Sequence, residues 1–178
     1  MDYFLLKTDE RCQNLPQLQL PKELSPTRIT KKSIQKLGTA SMVYVKENIG
    51  MDTVYPDYFE KPLPLIADKF QRILQKYQPD MILHRVMLIE KKSGAQKAYH
   101  LMLPPEIACV HEQAAGMDAA GNIQEFVLDV EKVGTQKIFL AKDYGRQLLV
   151  RLDVAESILR REPNGIWFEP VKMAGRST

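Results

Sequence analysis

The sequence predicts an α+β fold, a mostly antiparallel sheet with two or three helices, on three observations. Strand-type stretches outnumber helical ones. The helices fall among the strands without the strict alternation that a parallel βαβ sheet requires. A unit of strand, helix, proline turn and strand occurs twice, at about 65–88 and 149–173, which points to an internal duplication.

The copy at 149–173 has the fuller punctuation. Leu148, Leu149, Val150 and Leu152 read as a short buried strand. Asp153 stands three residues before Glu156, the spacing at which a side-chain oxygen caps free helix N–H groups while the Glu reaches back. Val154, Ala155, Ile158 and Leu159 then share one helical face. Pro163 cannot continue the helix, Asn164 and Gly165 supply a turn, and Ile166, Trp167, Phe168 and Val171 form a closing strand. In the earlier copy Asp68 takes the slot of Asp153, Ile73 and Leu74 those of Ile158 and Leu159, and Pro79 and Asp80 those of Pro163 and Asn164 once one residue is dropped. Two copies are too few for a stacked array, which needs about three repeats, so they are expected as halves of one core. A chain of 178 residues suits that single domain, 1–178.

The other elements follow in chain order. Residues 3–7 have the aromatic and aliphatic content of a strand. Pro16, Pro21 and Pro26 make 13–26 a loop or an extended edge segment. A short helix is expected within 27–37, closed by Gly38 with Ile29, Ile34 and Leu37 inward, and 42–46 alternates as a strand. A loop at 54–62 gathers Tyr55, Tyr58 and Phe59 beside Asp57, Glu60 and Lys61. A strand at 81–90 turns at Ser93 and Gly94 onto another at 97–103, which Pro104 and Pro105 end. Residues 107–111 form a short apolar run, and 112–122, with Gly116 and Gly121, form a loop. Strands at 123–130 and 137–141 flank a polar connection around Gly134, and 174–178 reads as a frayed end.

Composition excludes several classes. Hydrophobic content of 44% and charged content of 26% are those of a soluble globular chain. Residues 1–7 lack the basic leader and apolar run of a signal peptide, and no stretch approaches the ~20 apolar residues of a membrane span, so a cytoplasmic location is expected. Cys12 and Cys109, without CxxC spacing, fit reduced thiols there. The net charge of +3 sits before residue 51, where eight Lys and Arg meet five Asp and Glu, and the remaining 17 and 17 cancel. The excess around Arg28, Lys31, Lys32 and Lys36 reads first as a solvated helix face. A nucleic-acid-associated module using Arg28 to Lys36 is an alternative, without the interleaved aromatics such patches carry.

No catalytic constellation stands out. Cys109 and His111 are the only close metal-ligand pair, and a structural zinc takes four ligands, so no metal or cofactor is expected. The glycines form neither GxGxxG nor a P-loop. The best enzyme case is a Cys-dependent activity at Cys109 with His84, His100 or His111 as its base, set against a small buried cysteine in an apolar run. The aromatic and acidic loop instead suggests a binder, with Tyr55, Asp57, Tyr58 and Glu60 as candidate partner-binding residues.

The order of these pieces resembles a known family. Tyr55-Pro-Asp-Tyr58 leads to Pro64-Leu-Ile-Ala-Asp-Lys-Phe70, then Tyr99-His-Leu-Met-Leu103 and Ile107-Ala-Cys-Val-His111, and finally the helix and Gly165-Ile-Trp-Phe-Glu-Pro-Val171. Together they resemble family eleven of the immunity proteins of bacterial polymorphic toxin systems, over 55–173. The last motif is the most specific part. The resemblance implies an α+β domain without enzymatic activity that binds a co-encoded toxin and blocks it, and it carries over no functional residues. Asp68 stands where relatives tend to show a small hydroxyl residue before the helix, and it is expected to cap equally well. The expectation is a cytoplasmic immunity protein that occludes its toxin stoichiometrically.

Overall fold

Alternation buries the first strand on both of its faces: in β1 (Tyr3–Thr8), Tyr3 and Leu5 point into one apolar cluster and Leu6 into another. A computed structural model describes residues 2–46, 53–111 and 126–175. After β1 come β2 (Leu18–Gln19), α1 (Lys31–Gln35), β3 (Ala40–Val45), β4 (Tyr58–Phe59), β5 (Leu65–Ala67), α2 (Gln71–Tyr77), β6 (Ile82–Glu90), β7 (Gln96–Leu103) and β8 (Glu106–Ile107). Then follow β9 (Val127–Asp129), α3 (Val130–Val133), β10 (Ile138–Ala141), β11 (Gln147–Arg151), α4 (Leu152–Leu159), β12 (Ile166–Pro170) and β13 (Lys172–Ala174). The fold is α+β, with antiparallel pairings predominating.

Two sheets organise it. One has the order β12-β1-β11-β10-β8 and the other β2-β3-β6-β7-β5-β4, while β13 and β9 form a separate parallel pair. Their shared core takes Leu6, Leu140, Leu148 and Val150 from the first sheet and Tyr58, Ile66 and Met102 from the second. Both longer helices enter it, α2 through Phe70 and Leu74 at its start and middle, α4 through Val154, Ala155 and Ile158. Tyr77 Oη and Ser157 Oγ, 2.7 Å apart, join the two helices. Residues around α1 cover the far face of the six-stranded sheet, and β9 with α3 cover that of the other.

The duplication is visible in the strand order. Each half is a hairpin, a helix and a return strand parallel to the second hairpin strand, with an antiparallel strand filling the gap between. The first half uses β4, β5, α2 and β6, filled by β7; the second uses β10, β11, α4 and β12, filled by β1. Registers agree as well: Ala67, which leads into the first helix, pairs with Tyr99, and Arg151, which leads into α4, pairs with Tyr3. Tyr99 Oη donates to Pro56 O at 2.8 Å and Tyr3 Oη to Gln136 O at 2.9 Å. Each tyrosine also meets a phenylalanine edge-on, Tyr99 with Phe59 at 5.3 Å and Tyr3 with Phe139 at 5.7 Å between ring centroids. The same joint is therefore built twice.

Three local expectations change. Asp68 does not cap its helix: α2 begins at Gln71, after a 3-10 turn at Asp68–Phe70, and the Asp68 carboxylate meets His100 Nε2 at 2.9 Å. Asp153 does not cap α4, because β11 runs straight into the helix and the cap position falls on Arg151, still paired to Tyr3. The Asp153 carboxylate instead accepts two bonds from Arg151, at 2.6 and 2.8 Å, and that guanidinium holds its carboxyl below the usual range. The helical alignment of the halves also slips by one residue. Phe70 and Leu74 match Val154 and Ile158, whereas Leu159 is 54% exposed, and the extra residue of the second copy lies in the turn after the proline.

Elsewhere the differences are small. A one-turn helix, α3, replaces the polar connection before Gly134, because Asp129 accepts the N–H groups of Glu131 and Lys132. It brings the α-helices to four among the described residues. Leu37 is only partly buried, and the predicted loop at 112–122 and the start of the strand at 123–130 lie outside the described residues.

Gly165 packs directly against Pro56 and Cys12. It adopts φ +70°, and a Cβ there would lie 2.6 Å from Pro56 Cβ and 2.8 Å from Cys12 Sγ. Gly165→Ala should cost about 2–3 kcal/mol, from backbone strain and overpacking together. A urea melt with an unchanged midpoint would show that the contact relaxes freely. Tyr3→Phe and Tyr99→Phe should each cost about 1 kcal/mol, one neutral hydrogen bond, and similar losses are expected because the two joints match.

Candidate interaction surface

The inner face of the six-stranded sheet is only half covered. Helix α2 and the opposite sheet lie over its β7, β5 and β4 end, where Met102, Ile66 and Tyr58 are buried. On β3, Val43 and Val45 point to the far side, which leaves Met42 61% and Tyr44 40% exposed on the inner one. Register places Met42 beside Met87 and Tyr44 beside Ile89, and Ala98 and Gln96 continue the rows on β7. Beyond Tyr44, β2 supplies only Gln19. The result is a small apolar strip of Met42, Tyr44, Met87 and Ile89.

Cations flank this strip. Lys91 Nζ stands 5.1 Å from the Tyr44 ring centroid, and Arg85 shares the face opposite Ala40 and His100. Neither forms an ion pair among the described residues. Further along, His100 is covered by the half-exposed Asp68. Sequence reading found the alternation of 42–46 but not this surface. The available signal was a strand with apolar residues on both faces and too few partners to cover them.

The loop nominated for partner binding has another task. Tyr58 is 1% exposed and belongs to the shared core, so it offers no ring to a protein partner. The strand β4 forces it inward, because Tyr58 and Phe59 alternate between two covered faces. Asp57 clasps the other half: its carboxylate pairs with Lys69 Nζ at 2.6 Å and accepts the Asn164 N–H at 2.6 Å, while its own N–H donates to Asn164 O at 2.7 Å. Glu60 is half-buried, and its N–H donates to Thr8 Oγ1 at 2.9 Å. Tyr55 is partly exposed, its hydroxyl donating to Glu90 Oε1 at 2.5 Å and its ring carrying Lys97 Nζ at 4.8 Å. Burial first, then Glu90, raises the proton affinity of that phenol. The loop is thus a joint between the halves more than a docking edge.

Cys109 is equally enclosed. It is 0% exposed, and Asp143 accepts the N–H groups of Cys109 at 3.1 Å and Val110 at 2.9 Å. Burial, helped by the Asp143 carboxylate, pushes its thiol up to about 12. Two of the three histidines have partners, His84 Nε2 2.8 Å from Ser41 Oγ and His100 held by Asp68, while His111 Nδ1 is buried without one. Among the described residues no group of three His, Cys, Asp or Glu side chains converges as a metal site. The basic stretch does converge. Lys22, Arg28, Lys32 and Lys36 line one open hollow with Glu23, and none of these four cations has an ion pair among the described residues.

A scan against protein-family models finds no match to the chain, and a search of curated proteins finds none either. No helix among the described residues is long and apolar enough to cross a membrane.

Thiol labelling separates the two cysteines. Iodoacetamide at pH 8 should modify the partly exposed Cys12 of the native protein and leave Cys109 untouched until denaturant is added, read by peptide mass. Rapid native labelling of Cys109 would restore the thiol-nucleophile alternative.

Proposed function

We propose that this protein is an immunity protein of a bacterial polymorphic toxin system, which binds its toxin one to one and occludes it. The resemblance of residues 55–173 supplies the class of partner, and the uncovered strip of Met42, Tyr44, Met87 and Ile89 supplies a surface to meet it. Methionine and tyrosine are enriched at such interfaces, and an apolar centre flanked by charge is their usual anatomy. The flanking charge sets the sign of the partner: Arg85 and Lys91 suit a protein with carboxylates around its binding site. An acidic inhibitor inserted into a basic nuclease cleft would need the opposite sign, so the reading shifts away from Asp57 and Glu60. The proposed protein acts without catalysis, in the cytoplasm, against a toxin whose target lies there.

A second reading rests on the hollow of Lys22, Arg28, Lys32 and Lys36. Four unpaired cations around one concavity favour a polyanion such as nucleic acid. Its binding would weaken steeply with salt, whereas an apolar centre would hold.

Co-expression with the product of the adjacent reading frame tests the first reading. A one-to-one complex and restored growth are expected. Met42→Asp and Tyr44→Asp should each weaken the complex at least about 30-fold, the ~2 kcal/mol of an interface hot spot, with an unchanged melting temperature. Wild-type affinity in both variants would remove this face from the interface, and the absence of any complex would remove the immunity reading.

A further inference from the structure

A crevice opens where the two halves bring equivalent loops together. The loop from β4 to β5 supplies Glu60, Lys61 and Leu63, and the turn from β10 to β11 supplies Arg146 across from it. Its volume is about 250 Å³. That is below the roughly 300–1,000 Å³ of pockets for drug-sized ligands, so an occupant would be smaller. The walls are mainly apolar, built from Met102, Leu140 and Leu148 of the shared core and from Leu63 and Leu101 of the outer cluster.

One polar group lies deep in this setting. Tyr58 lines the crevice and is 1% exposed, yet its hydroxyl has no hydrogen-bond partner among the described residues. Tyr58 is one of the residues that line the crevice, beside Met102, Leu140 and Leu148. The equivalent hydroxyls of the two joints, Tyr3 and Tyr99, are both satisfied by carbonyls. A buried hydroxyl without a partner, on a residue that lines a cavity, is a donor waiting for an acceptor.

Charge at the mouth narrows the acceptor. Arg146 is neutralised by Glu106 at 2.7 Å. Glu60 and Lys61 both line the mouth without an ion pair among the described residues, so together they give it no net charge, and burial first, with Glu60 adding, keeps the Tyr58 phenol protonated. The phenol is thus a donor, and a mouth without net charge gives a ligand carboxylate nothing to offset its loss of water among apolar walls.

We propose that this crevice binds a small neutral amphipathic molecule whose carbonyl oxygen accepts the Tyr58 hydroxyl while its apolar body packs on Met102, Leu140 and Leu148. The site is independent of the sheet face proposed for a protein partner.

Acetophenone is a suitable probe, with ethylbenzene as its counterpart lacking an acceptor and benzoate as its charged counterpart. In an NMR titration of the full chain, acetophenone should give saturable shifts at the amides of Met102 and Leu148. Ethylbenzene should bind about fivefold more weakly, the loss of one neutral hydrogen bond, and Tyr58→Phe should reduce acetophenone to the same level. Glu60→Gln, a surface change that leaves the core intact, should strengthen benzoate binding severalfold without strengthening acetophenone binding. No saturable shifts from acetophenone, equal binding by Tyr58→Phe and wild type, or benzoate binding that ignores Glu60→Gln would each overturn the proposal.

Discussion

The second half of this protein cannot close without its first strand. β11 and β12 run parallel with a gap one strand wide, and β1 fills that gap by pairing antiparallel with both. Strands left one position apart would expose two rows of unpaired N–H and C=O groups in a covered region, each costly to bury. β1 also supplies Tyr3 to one cluster and Leu6 to the other. The first half solves the same problem locally, since β7 follows β6 through a hairpin. One architecture is thus made once by neighbours and once by the two ends of the described chain.

The joint between the halves follows from this arrangement. Asp57 reaches across to the Asn164 backbone, Asp9 N–H donates to Gly165 O, and Thr8 Oγ1 links Tyr58 O with Glu60 N. These bonds concentrate at the turns where β1 leaves its sheet, and Gly165 is needed there because Pro56 and Cys12 leave no room for a side chain. Residues that look like a surface motif in one dimension are consumed by contact between distant turns.

The same geometry decides what stays open. Two helices fill the shared core, and the six-stranded sheet is wider than what faces it, so β3 and part of β6 extend past their cover. Met42 and Tyr44 are exposed by that mismatch in width. The crevice arises differently, from two equivalent loops that meet without filling the space between them. A cation-flanked sheet strip suits a macromolecular partner, and a narrow, mainly apolar crevice with a buried donor suits a small molecule.

Local chemistry was legible in the sequence. Strand content at 3–7, alternation at 42–46, the hairpin at Ser93 and Gly94, the proline stop at Pro163 and the punctuation of each copy of the repeated unit all depend on residues within a few positions of each other. The helix caps were misread for a local reason too, since β11 passes into α4 without the extra residue a capping Asp needs. What the sequence by itself determined was the fold class, the longer elements and their duplication. Tertiary structure alone decided that Tyr58 would be core, that Asp57 would clasp Asn164, that Cys109 would be sealed against Asp143, and that Met42 and Tyr44 would face outward. The physical reason is that burial depends on which faces meet, and those meetings join residues such as Tyr3 and Arg151 whose separation leaves no trace in any local pattern.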